Sequence, residues 1–436
     1  MPVDPHAQET PPVDADGEGD GAVVEIGDPA HGGHCVARLD GRVVFVRHAL
    51  PGEEIRLRVT DRRSRFWRAD AVEILRPSSD RVPSVWPEAG PDGVGGGELA
   101  HVALPAQRVW KARVLADTLR RIGGEQVAED VASVAPEGVV VEALAGDDDA
   151  GGLGTRTRVD LTVDPSGVAG MHRFRSHEVV ALSSMPLAEQ SLVDLGLLGP
   201  DSPWRRTWHP GARVSAVAPS AGEPMVLVDG EPVPLGRRGK GPARRAVREV
   251  VASPVGELSY RVSGSGFWQV HRRAPEALVA AVLAAAAVEP GQKVFELYSG
   301  AGLLSLPLAR AVGESGTVVT LEGADGAVRD ARRNLHDHPN VAIGHGPVEP
   351  RTIAEGGAEA DVVVLDPPRA GAGAGVMAAV AELAPSRIVH VACDPAALAR
   401  DLAAARAAGY VTTGVRAFDL FPHTHHFEVV AVLERV

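Results

Sequence analysis

Cysteine is scarce: the 436 residues include two, Cys35 and Cys393. That excludes a disulfide framework, and it excludes any site needing four thiolates, such as a conventional iron–sulfur cluster or an all-cysteine zinc. Aromatic residues make up only 4% of the chain, so aliphatic side chains and alanine must fill the interior. The longest apolar run, Ala277–Val288, is too short for the roughly 20 residues that cross a bilayer. No basic start followed by an apolar stretch opens the chain, so no secretory signal is read, and the expected location is the cytoplasm without membrane contact. Despite 49 Gly and 34 Pro, a 44% apolar content supplies ample core, and the length suggests two or three domains.

The formal net charge is −13 at pH 7, which by itself disfavours a nucleic-acid partner. The distribution changes that reading. Residues 1–21 carry Asp4, Glu9, Asp14, Asp16, Glu18 and Asp20 with no Lys or Arg, and are expected to be disordered. Basic residues gather elsewhere: Arg56, Arg58, Arg62, Arg63, Arg65 and Arg68 surround Phe66 and Trp67. A second group comprises Arg237, Arg238, Lys240, Arg244, Arg245 and Arg248. Such runs serve either as solvated faces or as nucleic-acid contacts.

Four segments follow from the patterning. After the tail at 1–21, residues 22–76 alternate apolar and polar positions in five short strands, with Asp40-Gly41 as a hairpin turn. This suits a small OB-like β-barrel. Residues 77–265 read as a central α+β domain, opening with a Pro- and Gly-rich linker over 77–100 and a helix from Pro105 to Arg121. From 266 to 436, β and α signals alternate, the signature of an α/β doubly wound, Rossmann-like sheet. In such sheets, ligands sit outside the carboxyl ends of the strands.

The strand ends carry the chemistry. Gly300 and Gly302, after the strand ending at Leu297, allow a tight turn and close approach to a ligand. Glu322, ending the next strand, is placed to accept from a ribose diol. A dinucleotide fingerprint wants a third glycine where Ser305 stands, which favours S-adenosylmethionine. Asp366-Pro367-Pro368-Arg369 ends the fourth strand, and the prolines stop the ladder. Cys393, before Asp394-Pro395, falls next to a helix N-terminus, where the dipole favours a thiolate. Glu428 sits in an otherwise apolar strand, an expensive place unless it is partnered or used. His423, His425 and His426 have no second ligand cluster, so no metal is assigned.

FELYSGAGLLSLPLA, VVLDPPR, HVACDPAALARDL and DLFPHTHHFEVVAVLER, in this order across Gln269–Val436, resemble the signatures of the bacterial RNA uracil-C5 methyltransferases. The barrel resembles the TRAM module that precedes many members. The resemblance implies Cys393 as nucleophile and Glu428 as base. It also implies that Gln269, Tyr298, Gly300, Glu322 and Asp366 contact S-adenosylmethionine or the target base, with Arg400 supporting a loop. Where the family's ribosomal branch carries four cysteines, Arg81–Leu99 has none, so no iron–sulfur cluster is expected. Asp394, Ala397 and Leu303 also depart from the family pattern. The implied product is 5-methyluridine in ribosomal or transfer RNA, the barrel leaning toward the ribosomal acceptor; the base is expected to flip, Phe66, Trp67 and Trp268 are candidates for stacking, and a monomer is the default. Two rivals are an RNA-binding protein that has lost its chemistry and a methyltransferase on another acceptor.

Overall fold

The computed structural model describes residues 19–234, 244–356 and 359–436. Most of the acidic segment, and Arg237, Arg238 and Lys240, lie outside the described residues. The chain forms two compact units, one up to Trp110 with His423–His425, the other Lys111–Pro422 with His426–Val436.

In the first unit, strands β1 (Val23–Glu25), β2 (Pro29–Ala30), β3 (His34–Leu39), β4 (Arg42–Arg47), β5 (Glu54–Arg62) and β6 (Phe66–Arg76) form one sheet. Their order is β1-β5-β6-β4-β3-β2. Period-two alternation buries Ile55, Leu57 and Val59 of β5, and Val44 and Val46 of β4. Asp40 and Gly41 both take positive φ (49° and 81°) in the tight turn between β3 and β4. Asp20, expected in the disordered tail, instead accepts from the Val59 amide at 2.7 Å.

The expected linker over 77–100 is a packed loop. Trp86 is fully buried, and Leu99 and Val94 are buried with it. Glu53, also buried, accepts from Arg81 at 2.6 Å and from the amides of Leu50 and Ser78. Against the upward pull of burial, those bonds hold its carboxyl below the usual range.

Helix α1 (Leu104–Thr118) ends in a π-turn over Leu119–Gly123, and α2 (Glu125–Val134) and strand β7 (Val141–Glu142) follow. Strands β8 (Arg158–Val163), β9 (Ala169–His172) and β10 (Val179–Ala181), the short helix α3 (Gln190–Val193), then β11 (Arg213–Val217), β12 (Met225–Val228) and β13 (Glu231–Val233) come next. The six strands form an antiparallel sheet in the order β10-β9-β8-β11-β12-β13. A hairpin of β14 (Ala246–Val251) and β15 (Leu258–Ser263) leads to α4 (Ala274–Ala286).

The remaining elements are β16 (Lys293–Leu297), α5 (Ser305–Val312), β17 (Thr317–Glu322), α6 (Asp325–Asn334), β18 (Val341–His345), α7 (Pro350–Gly356) and β19 (Val362–Leu365). They continue with α8 (Ala374–Glu382), β20 (Arg387–Ala392), α9 (Pro395–Ala407), β21 (Tyr410–Phe418) and β22 (Glu428–Arg435). The sheet order is β18-β17-β16-β19-β20-β22-β21-β7. Its central strand β19, Val-Val-Val-Leu, is buried at every position because helices cover both faces. The chain reverses direction of winding between β16 and β19, which opens a crevice at the carboxyl ends of those strands. The boundary expected at 265/266 does not part compact units: β7 pairs in parallel with β21, and Thr157 donates to the Val270 carbonyl at 2.8 Å.

Candidate active site

The antiparallel strand β22 determines what meets Cys393. Ala392, ending β20, pairs with Val429, so Cys393 and Glu428 lie one residue further along each strand at the same edge. Asp366 follows β19, the neighbour of β20 on the other side. The sheet therefore brings together a thiol, two carboxyls and, from the loop after Asp366, Arg369.

Cys393 is half-buried and therefore reachable. Its thiol is pushed up to about 12 by burial, then by the Glu428 and Asp366 charges, with Arg369 pulling the other way. This corrects the expectation of a dipole-lowered thiol. The N-cap of α9 is Asp394, whose carboxylate accepts from the Ala397 amide at 2.8 Å and adds a further negative charge beside the sulfur. Glu428 is buried, and burial followed by the Asp366 charge raises its carboxyl well above the usual range, again opposed by Arg369. Burial also lifts Asp366 to about 7.

At the end of β16, Tyr298 has φ 62°, a left-handed conformation that is uncommon outside glycine and gathers at functional sites. The turn continues through Gly300 (φ 55°) and Gly302 (φ 92°), which serve different ends. A Cβ at Gly300 would meet nothing within 4 Å, whereas at Gly302 it would reach Leu335 Cδ1 at 3.2 Å. Gly300 borders open space, and Gly302 permits packing. Glu322 accepts from the Gly300 amide at 2.9 Å and the Ala324 amide at 2.6 Å, which fixes its carboxylate over the turn with lone pairs to spare. Ser299 Oγ is buried without a hydrogen-bond partner among the described residues. An open cradle, an oriented carboxylate and an unsatisfied hydroxyl fit a ribose-bearing cofactor.

Several of these features were not evident from the sequence. Ser305, at the place of a third glycine, is fully buried and donates to Glu296 Oε2 at 2.5 Å. Burial lifts Glu296 to about 8 despite that bond. Asp401, beside Arg400, accepts from the Ala372 and Gly373 amides, while Arg400 reaches the Ala370 carbonyl only at 3.5 Å. Trp268 is 4% exposed and packs on Tyr260 at 5.1 Å, whereas its neighbour Phe267 is 74% exposed and Phe66 is partly exposed. Trp67 is likewise buried, with Arg42 and Arg62 over its ring. Gln269 is tied to the Cys393 cluster by no bond among the described residues. It is buried and lines a cavity of about 40 Å³ with Thr157, Ser220, Glu249 and His271. His423 and His425 turn to Gln107 and Glu98 respectively.

The strand order and the crevice at its reversal define a class I methyltransferase fold. Residues 18–72 match the TRAM domain, residues 352–436 match the family described as tRNA (uracil-5-)-methyltransferase, and residues 269–347 match protein-L-isoaspartate(D-aspartate) O-methyltransferase. An uncharacterized RNA methyltransferase of Streptomyces coelicolor is 41% identical over 94% of this chain and 92% of its own. One from Bifidobacterium longum is 40% identical over 95% and 97%. The chain belongs to the RNA uracil-C5 methyltransferase family, among members with an N-terminal TRAM domain. The crystal structure of Pyrococcus abyssi tRNA (uracil-54, C5)-methyltransferase with S-adenosyl-L-homocysteine shares the fold, at a TM-score of 0.65 and 21% identity, over 94% of this chain and 99% of that one.

Proposed function

We propose that this protein methylates C5 of a uridine in RNA, using S-adenosylmethionine, through a covalent bond between Cys393 and C6 of the base. The observation that carries this reading is the register of β20 against β22, which sets a reachable thiol beside a buried carboxyl.

Uracil C5 is too weak a nucleophile to take a methyl directly. Addition of the Cys393 thiolate to C6 forms the S–C6 bond and moves the C5–C6 electron pair toward the C4 carbonyl, leaving C5 enolate-like and nucleophilic. Glu322, the Gly300 turn, Ser299 and Asp366 would hold S-adenosylmethionine, which supplies an electrophilic methyl when bound. Glu428 then takes the C5 proton, the C5–C6 double bond re-forms and Cys393 leaves as thiolate. Arg369 offsets the charge of the carboxyls around the sulfur. Because Trp268 is buried, the exposed Phe267 beside it is assigned a stacking role for RNA. Gly302 is assigned to packing the turn against Leu335.

The barrel favoured ribosomal RNA on sequence. The Pyrococcus enzyme, named for a tRNA uridine, aligns over 94% of this chain, so the barrel does not separate the two acceptors. Incubation with cofactor and each RNA, followed by nucleoside mass analysis, is expected to reveal one added methyl on uridine, and none with Cys393→Ala. RNA containing 5-fluorouridine, which has no C5 proton to lose, is expected to trap a protein–RNA adduct. Adduct formation by Cys393→Ala would move the nucleophile elsewhere.

A further inference from the structure

Asp401 lies within α9, buried, and its carboxylate is committed to a loop rather than to another charge on its own helix. Oδ2 accepts from the Ala372 amide at 2.8 Å and Oδ1 from the Gly373 amide at 2.9 Å. His390, fully buried in β20, brings Nε2 to 3.0 Å from Oδ2. The same loop is closed upstream by the Gly371 amide on the Pro368 carbonyl at 2.8 Å. Gly371 has φ 86°, and a Cβ there would come within 2.8 Å of Asp401 Oδ2 and 3.0 Å of Ala397 Cβ. The loop is thus seated on the carboxylate with no room for a side chain between them.

We propose that Asp401, oriented by His390, is a positioning residue: it fixes the backbone of residues 367–373 so that Arg369 is presented to Cys393 and Glu428. This rests on the reading of Cys393 as nucleophile. A guanidinium on a long flexible stem delivers a defined field only if its Cα is held, and Arg369 itself is exposed. The groups acting on the thiol are Glu428 from β22, Asp366 from the end of β19, Asp394 from the cap of α9, and Arg369. Arg369 is the one cation of this set and the one member that favours the thiolate. Burying a carboxylate to hold two amides is costly, and stabilising a nucleophile accounts for the cost.

The experiment measures alkylation of Cys393 by iodoacetamide in the full-length enzyme, without RNA, from neutral to alkaline pH, with peptide mass mapping to separate it from buried Cys35. Asp401→Asn turns one acceptor oxygen into a donor facing an N–H. It is expected to slow alkylation about tenfold at each pH, the scale of losing a nearby opposite charge. Arg369→Gln is expected to do the same, and the double variant no more than either alone. A profile for Asp401→Asn that superimposes on the parent, or a double variant whose effects multiply, overturns the proposal. Should Asp401→Asn fail to fold by circular dichroism, Gly371→Ala, which displaces the loop from the other side, is judged by the same criteria. Alkylation needs neither RNA nor cofactor. An unchanged profile with an intact 5-fluorouridine adduct removes this inference alone, and a displaced profile with no adduct removes the catalytic reading and leaves only the effect of the loop on the thiol.

Discussion

The ammonium of Lys111, fully buried, donates to Asp419 Oδ1 at 2.5 Å and to the Phe421 carbonyl at 3.1 Å. Its helix α1 thereby anchors the turn that leads into Glu428. Removing one member of such a pair leaves the other charge buried and uncompensated, at about 3–5 kcal/mol. Lys111→Met is expected to lose that much in urea unfolding. Lys111→Met with Asp419→Leu is expected to recover most of it while methyl transfer stays low, because the turn no longer has its anchor. Full activity in the double variant would show that the turn needs no anchor.

Gly300 and Gly302 give opposite expectations from one substitution. Alanine at Gly300 enters open space at a φ of 55°, so the stability cost is about 1 kcal/mol, but its methyl projects into the cleft assigned to the cofactor. Calorimetry is expected to record S-adenosylmethionine affinity at least tenfold weaker with a nearly unchanged melting temperature. Alanine at Gly302, at φ 92° and against Leu335, is expected to lower the melting temperature more and affinity less.

What was legible in the sequence divides along physical lines. Strands buried on both faces, such as Val362–Leu365, announce themselves as apolar runs, and Pro395 after Asp394 marks a helix start, so the alternation of strands and helices and the residues at the strand ends could be read. β21, Tyr410–Phe418, carries no clear strand signal because its mixed Thr-Gly-Val-Arg pattern is interrupted by a register shift between Thr412 and Gly414. The loop over 77–100 reads as a linker by composition. Its order comes from contacts distant in sequence, including burial of Trp86 and the Arg81–Glu53 pair. The Cys393 thiol was misjudged because a helix start is local, whereas the charges of Glu428 and Asp366 arrive from other strands. Asp401 stands next to Arg400 in the same motif, and only the backbone it holds tells the two apart.

Asp366 sets catalysis against stability. Its carboxyl rises from an ordinary 3.8 to about 7 on folding, so between those values the folded chain holds a proton that the unfolded chain releases. Stability therefore falls as pH rises through this window, by at most about 4 kcal/mol above pH 7. Asp366→Asn removes that loss. The variant is expected to melt higher than the parent at pH 8, with the difference shrinking toward pH 4. It also removes one of the charges opposing Cys393, so alkylation is expected to be faster at neutral pH even as cofactor affinity drops. Equal melting temperatures across the range would mean that the carboxyl is not raised.

Glu428 is the last group to act, and its replacement separates bond making from release. Addition of Cys393 to C6 moves the sulfur's negative charge onto the base, and methylation then neutralises it. Gln at this position keeps the shape but accepts no proton, so S–C6 bond formation and methylation proceed while elimination stops. Glu428→Gln with ordinary RNA and cofactor is expected to accumulate a protein–RNA species that carries the extra methyl, resolved by denaturing gel and intact mass. Turnover is expected to fall by about 10²–10⁴, the usual contribution of a positioned base. Glu428→Asp, which retains a carboxylate on a shorter stem, is expected to release product slowly and to show less adduct. Adduct without the methyl in Glu428→Gln would place this carboxyl before methyl transfer, and wild-type turnover would remove it from the reaction.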